Sequence, residues 1–212
     1  MRLRNVKNAV NIVNESRYTI DYQSLKEYRG RIKELFGNNN PICLEVGMGK
    51  GDFIIGMAEK YPNVNFIGIE KYESVLVRAV QKLEDKEMQN LKLVCMDAVF
   101  LDLVFDHEIS TIFLNFSDPW PKNRHAKKRL TSENYLERYD EISVGNTHII
   151  QKTDNIGLFA YSISSLSEYG YTIKKVSLDL ANEDIETIET EYEKKFKSKG
   201  VRINYLDAVK KN

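Results

Sequence analysis

Glu45, Glu70, Asp97 and Asp118 each close a short apolar run, and their neighbours decide what chemistry an acid there can perform. The first opens "EVGMGKG", where Gly47, Gly49 and Gly51 permit positive φ and let a ligand come close to the backbone. The spacing is not G-x-x-x-x-G-K-[ST], because Gly51 takes the place of the Ser or Thr, nor G-x-G-x-x-G, because the third glycine comes one residue early. A turn holding a nucleoside without phosphates suits it better than a pyrophosphate cradle. Glu70 follows Gly51 by nineteen residues, where a carboxylate accepts both ribose hydroxyls. Asp97 is placed to accept from an adenine amino group, and Glu45 to face a cationic amino-acid end. A tight turn with three solvated acids is the plain alternative. Acids at three successive strand ends favour the nucleoside.

The fourth acid stands in "SDPWPKNRHAKKR" (117–129), with the only Trp and two of the four Pro of the chain. Pro119 and Pro121 fix φ and end a strand, so a stiff turn presents Asp118 and Trp120. An acid beside a rigid aromatic can grip a base by hydrogen bonding and stacking. Lys122, Arg124, Lys127, Lys128 and Arg129 then offer five cations to phosphates within eight residues. The rival is a surface loop with a solvated charge run.

These residues need a scaffold that brings strand ends together. The chain has 212 residues, 42% of them apolar, enough for one larger domain with a sizeable core. Charge balances at 31 against 31, so polyanion binding must rest on local patches. Cys43 and Cys95 sit far apart in apolar runs and read as reduced, buried thiols of a cytoplasmic protein. Three scattered His show no metal-ligand spacing, and no run approaches a membrane span. Residues 1–17, with Arg2, Arg4, Lys7 and Arg17, read as a loosely held basic arm.

From residue 41 onward, strand and helix patterns alternate. Strands are expected at 41–47, 63–71, 91–98, 110–119, 147–155, 171–180 and 202–209; helices at 52–61, 73–83, 131–142 and 156–170. Such alternation predicts an α/β fold with a parallel sheet and helices on both faces, its ligands at the carboxyl ends of the strands.

The glycine turn resembles the first motif of class I S-adenosylmethionine-dependent methyltransferases. More specifically, "LEVGMGKGDFI", "FIGIEKY", "LNFSDPWPKNRHAKKRLTS", "KTDN" and "TEYEKKF" occur in the order and approximate spacing of the bacterial tRNA (guanine-N7-)-methyltransferases. The resemblance covers almost the whole chain. It implies one Rossmann-like class I domain (36–212) with a mostly parallel seven-stranded sheet and an antiparallel strand near the C-terminus, preceded by the basic arm and a leading helical segment (1–35). It implies S-adenosylmethionine at Glu45, Glu70, Asp97 and Asp118, with Asp118 catalytic, and tRNA as partner of a monomer or homodimer. It implies substrate contacts at Lys122, Asp154 and Thr190, Glu191, Tyr192 and Glu193, and RNA contacts at Arg124, His125, Ala126, Lys127, Lys128 and Arg129. Residues alone leave open a helix-cap role for Asp154 and an ordinary solvated helix for "ETIETEYEKKF". Two stretches depart from the family pattern: "ISVGNTHIIQ" lacks a Pro-x-Gly-Gly character, and "NEDIETIE" is unusually acidic. Two alternatives stand beside this reading: a methyltransferase of the same fold acting on another base or a small molecule, and an RNA-binding module with an inactive fold.

Overall fold

A computed structural model describes residues 8–210. Seven strands form one sheet: β1 (Ile42–Val46), β2 (Asn65–Glu70), β3 (Leu91–Cys95), β4 (Ile109–Asn115), β5 (Ser143–Thr153), β6 (Thr172–Ser177) and β7 (Asn204–Val209). Their order is β3-β2-β1-β4-β5-β7-β6. All neighbours are parallel except β7, which runs antiparallel to both β5 and β6. Every residue of β1 and β2 is buried, as expected of central strands covered on both faces.

Helices build two cores. On one face lie α1 (Ala9–Glu15), α3 (Asp52–Lys60) and α4 (Glu73–Lys82), with Val13, Phe53, Ile54, Leu76 and Val80 in one apolar cluster. On the other lie α2 (Tyr22–Glu27), α5 (Leu101–Val104), α6 (Glu133–Ile142) and α7 (Ile156–Glu168), with Leu25, Leu101, Tyr139 and Phe159. A third, small cluster of Leu180, Ile203 and Tyr205 lies near α8 (Glu191–Lys197), whose Phe196 packs against it. No helix among the described residues is long and apolar enough to cross a membrane.

Several boundaries differ from those expected, three of them for a visible reason. β4 stops at Asn115, well before the prolines, because Phe116 gives the last ladder bond to the Lys152 carbonyl and then turns left-handed (φ 51°). β3 stops at Cys95, because the Asp97 side chain accepts the Val99 N–H at 3.1 Å and starts a 3₁₀ turn. β5 begins at Ser143, four residues early, because a register shift absorbs "VGN" around Gly145 (φ 64°). The basic arm also differs where it is described. Val13 and Tyr18 are buried, and the Tyr18 carbonyl accepts the Leu93 N–H at 2.8 Å, so residues 18–20 border the edge of β3. Arg2, Arg4 and Lys7 lie outside the described residues. Both cysteines are free, but only Cys43 is buried; Cys95 is half-buried.

Candidate active site

The chain builds β1, β2 and β3 to one side and then returns to β4 on the other, so strand order reverses between β1 and β4. A crevice at the carboxyl ends of the strands follows from that reversal. A cleft of about 500 Å³ occupies it, lined by Gly47, Glu70, Asp97, Ser117, Asp118 and Trp120 among others. That volume falls in the usual small-molecule range of about 300–1,000 Å³.

The β1–β3 side is held by backbone amides. The N–H groups of Gly47 and Met48 both donate to the Ile69 carbonyl at 2.9 Å, folding the glycine turn back onto β2. Gly51 (φ 78°) has no space for a side chain, since a Cβ there would meet the Ala79 Cβ at 2.8 Å. The Gly49 N–H donates to Glu70 Oε2 at 3.1 Å and the Tyr72 N–H to Oε1 at 3.2 Å, fixing this carboxylate between two loops. Burial pushes the Glu70 carboxyl above its ordinary pKa, and these amides pull against it. Burial also acts upward on Asp97, but the Lys71 ammonium at 2.6 Å and the Val99 N–H outweigh it, so its pKa is lowered.

Glu45 directly precedes the cleft residues Val46 and Gly47 and is 1% exposed, with Asn115 Nδ2 donating to Oε1 at 2.8 Å. Burial pushes its carboxyl up to about 8, against the pull of Asn115 and Lys152. Its Oε2, Asn115 Oδ1 and Ser117 Oγ are buried without a hydrogen-bond partner. Buried polar groups normally have partners. Ser117 lines the cleft, and Glu45 and Asn115 each stand one residue from a lining residue, Val46 and Phe116; two acceptors and a hydroxyl there fit a ligand that carries an ammonium and hydroxyls, as S-adenosylmethionine does.

The β4 side is held by side chains. Phe116 and Trp120 both adopt positive φ (51° and 41°), a conformation costing about 1–3 kcal/mol per non-glycine residue. Arg129 stabilises this turn, donating to the Trp120 carbonyl at 3.0 Å and the Pro119 carbonyl at 3.2 Å, with its guanidinium 4.3 Å from the Tyr161 ring centroid. The basic run is therefore split. Arg129 faces the turn; Lys122, Arg124 and Lys127 are exposed; Lys128 is exposed and places its ammonium 4.7 Å from the Trp120 ring centroid. His125 and Ala126 are half-buried in a 3₁₀ turn, with the imidazole edge-on to Trp120.

The remaining expected residues divide in the same way. Asn155, not Asp154, caps α7, its side chain accepting the Leu158 N–H at 2.8 Å. Thr190 and Glu193 form a capping box at the start of α8. Glu191 receives Lys50 Nζ on both oxygens at 2.8 Å, and Tyr192 is exposed, its ring 5.7 Å from that of Phe116. Glu193 is not presented to the cleft: it is 0% exposed and pairs with Lys152 Nζ at 2.7 Å. Sequence reasoning missed Asn115, Lys50 and Lys152. Their only signal was polar character at the end of an apolar strand or inside a glycine turn.

A family described as "Putative methyltransferase" matches residues 39–206. The tRNA (guanine-N(7)-)-methyltransferase of Bacillus cytotoxicus is 50% identical over 211 residues, covering 98% of this chain and 96% of that protein. The chain belongs to the tRNA (guanine-N(7)-)-methyltransferase family. A second member, from Bacillus subtilis, is 52% identical over 176 residues, covering 82% of this chain and 83% of its own. A solved antibiotic-related methyltransferase shares the fold of this family at a TM-score of 0.66 and 18% identity, covering 86% of this chain and 94% of its own. The expected Rossmann-like methyltransferase fold and the family resemblance both hold.

Proposed function

We propose that this protein transfers a methyl group from S-adenosylmethionine to N7 of a guanine in the variable loop of tRNA, forming 7-methylguanosine. The observation that carries the proposal is the meeting of Asp118 and Trp120 with the glycine turn and Glu70 in one cleft. Half-identity along nearly the whole chain to a protein named for this reaction supports it.

When bound, S-adenosylmethionine supplies an electrophilic methyl on a cationic sulfur. On our reading Glu45, Gly47, Gly49, Gly51, Glu70 and Asp97 hold it. The fixed Glu70 carboxylate suits ribose hydroxyls, and the unpartnered Glu45 oxygen suits an ammonium. Guanine N7 carries an in-plane lone pair and no proton, so the chain needs no general base. Its main task is orientation, which can be worth roughly 7–11 kcal/mol. Asp118 would stabilise the positive charge that develops on the purine, and Trp120 would stack on a base. Lys122, Asp154, Thr190, Glu191 and Tyr192 form the acceptor side, with carboxylates suited to the N1–H and N2–H₂ donors of guanine. Arg124, Lys127 and Lys128 face phosphates, while Arg129 and Glu193 support the elements that carry them.

The test is incubation with unmodified tRNA and methyl-labelled S-adenosylmethionine, followed by mapping of the labelled base. Label confined to a guanine of the variable loop is expected. Label on adenine, or no transfer to RNA, would overturn the reading.

A further inference from the structure

Residues 186–193 run as a strap across α3, the helix that leaves the glycine turn. Lys60 pairs with Glu186. Ile188 covers Gly56, where a Cβ would come within 2.7 Å of Ile188 Cγ2. Lys50, inside the glycine turn, holds Glu191. Below these lies a buried anchor. Lys152 Nζ donates to Glu193 Oε2 at 2.7 Å, to the Ile188 carbonyl at 2.8 Å and to Thr187 Oγ1 at 3.3 Å, with the Phe53 ring centroid 4.8 Å away.

Two charges that are 1% and 0% exposed are a costly way to hold a surface helix. Yet Glu193 is the only buried residue of α8. Phe196 gives this helix one apolar contact, against the third cluster; the ion pair is its one fully buried attachment. A hydrophobic contact is non-directional. The Lys152 ammonium, with three acceptors on three successive parts of the strap, admits one register. The same residue also references the other side of the acceptor region, since its carbonyl accepts the Phe116 N–H at 2.8 Å. The rings of Phe116 and Tyr192 meet between these two attachments.

We propose that Lys152 is a positioning residue: by anchoring Glu193 it sets the register of the strap, so that Glu191 and Tyr192 face the acceptor guanine. The proposal rests on the tRNA methyltransferase reading above and assigns Glu193 to the anchor instead of the base.

The experiment compares the wild type with Gly56→Ala, Lys152→Met and the apolar pair Lys152→Met/Glu193→Leu. It measures hydrogen exchange over residues 186–193, S-adenosylmethionine affinity by calorimetry, and kcat and KM on unmodified tRNA. Gly56→Ala keeps both buried charges and places a better helix former in α3, so it tests the strap even where Lys152→Met does not fold. Both single variants should speed exchange in the strap and lower kcat/KM for tRNA by about ten- to a hundredfold. Donor affinity should stay within about twofold in Gly56→Ala, which leaves Lys152 and its pull on Glu45 in place. The apolar pair removes both charges together, which cores often tolerate; it should fold and keep the low kcat/KM. Recovery of wild-type kcat/KM in that pair would overturn the proposal, as would a freed strap with unchanged kinetics. A wild type that labels no guanine would instead sink the functional reading, while exchange would still report on the anchor.

Discussion

The two sides of the cleft are built differently. On the β1–β3 side, Glu70 is fixed by backbone amides of the loops around it, Asp97 by the Val99 amide and the nearby Lys71, and the glycine turn folds back onto the neighbouring strand. On the β4–β5 side, the turn and helix depend on side chains: Arg129 on Pro119 and Trp120 within ten positions, Lys152 on Glu193 across 41 and Lys50 on Glu191 across 141. The first side suits a small ligand of constant shape. The second carries two strained non-glycine residues and exposes Asp118 and Tyr192, as a surface does that must receive part of a large polymer. Amide-built sites are local and rigid; side-chain-built sites can be loosened one anchor at a time.

That contrast can be broken from either side. Asp118→Ala should show the largest effect, lowering kcat by about 10²–10³ while calorimetry still finds S-adenosylmethionine bound. Full activity in that variant would remove Asp118 from the mechanism. Next comes Gly51→Val, which strains φ 78° and drives a side chain into Ala79. We expect it to cost about 1–3 kcal/mol in urea unfolding and to weaken donor binding. Third is pH. Below the ordinary glutamate value of 4.5, Glu45 is protonated in both the folded and unfolded states. From there to about 8 only the unfolded chain ionises, so unfolding releases a proton and stability falls as pH rises. Glu45→Gln should remove up to about 1.4 kcal/mol per pH unit of that fall. Urea midpoints of variant and wild type that run parallel from about pH 5 to about pH 8 would contradict it. The smallest effect separates two members of the basic run. Lys127→Ala should reduce the salt slope of tRNA binding by about one. Arg129→Ala should instead loosen the Trp120 turn, seen as a change in tryptophan fluorescence.

The same contrast explains what was legible beforehand. Alternating apolar runs gave the succession of strands and helices along the chain, and the glycine spacing marked the turn that follows β1, because both rest on neighbours in sequence. The stiff turn at Pro119 was legible, but not that β4 ends at Asn115, since the left-handed Phe116 carries no glycine or proline to mark it. "KKR" read as one charge run, although Arg129 turns inward to bond two carbonyls; composition cannot show which way a side chain faces. "TEYE" resembled a substrate segment as a unit, yet its last Glu is buried by a lysine that looked like any other polar strand residue. The described part of the basic arm packs because Tyr18 reaches the open edge of β3, a pairing invisible until the sheet order is known.

The central claim is that the β4–β5 side delivers guanine N7, and no other atom, to the donor held on the β1–β3 side. Replacing the target guanosine of a tRNA by 7-deazaguanosine tests it most directly, because only that ring nitrogen is lost. Methyl transfer to the substituted tRNA should vanish while its binding to the protein is unchanged; transfer at the ordinary rate would show that another atom is the acceptor.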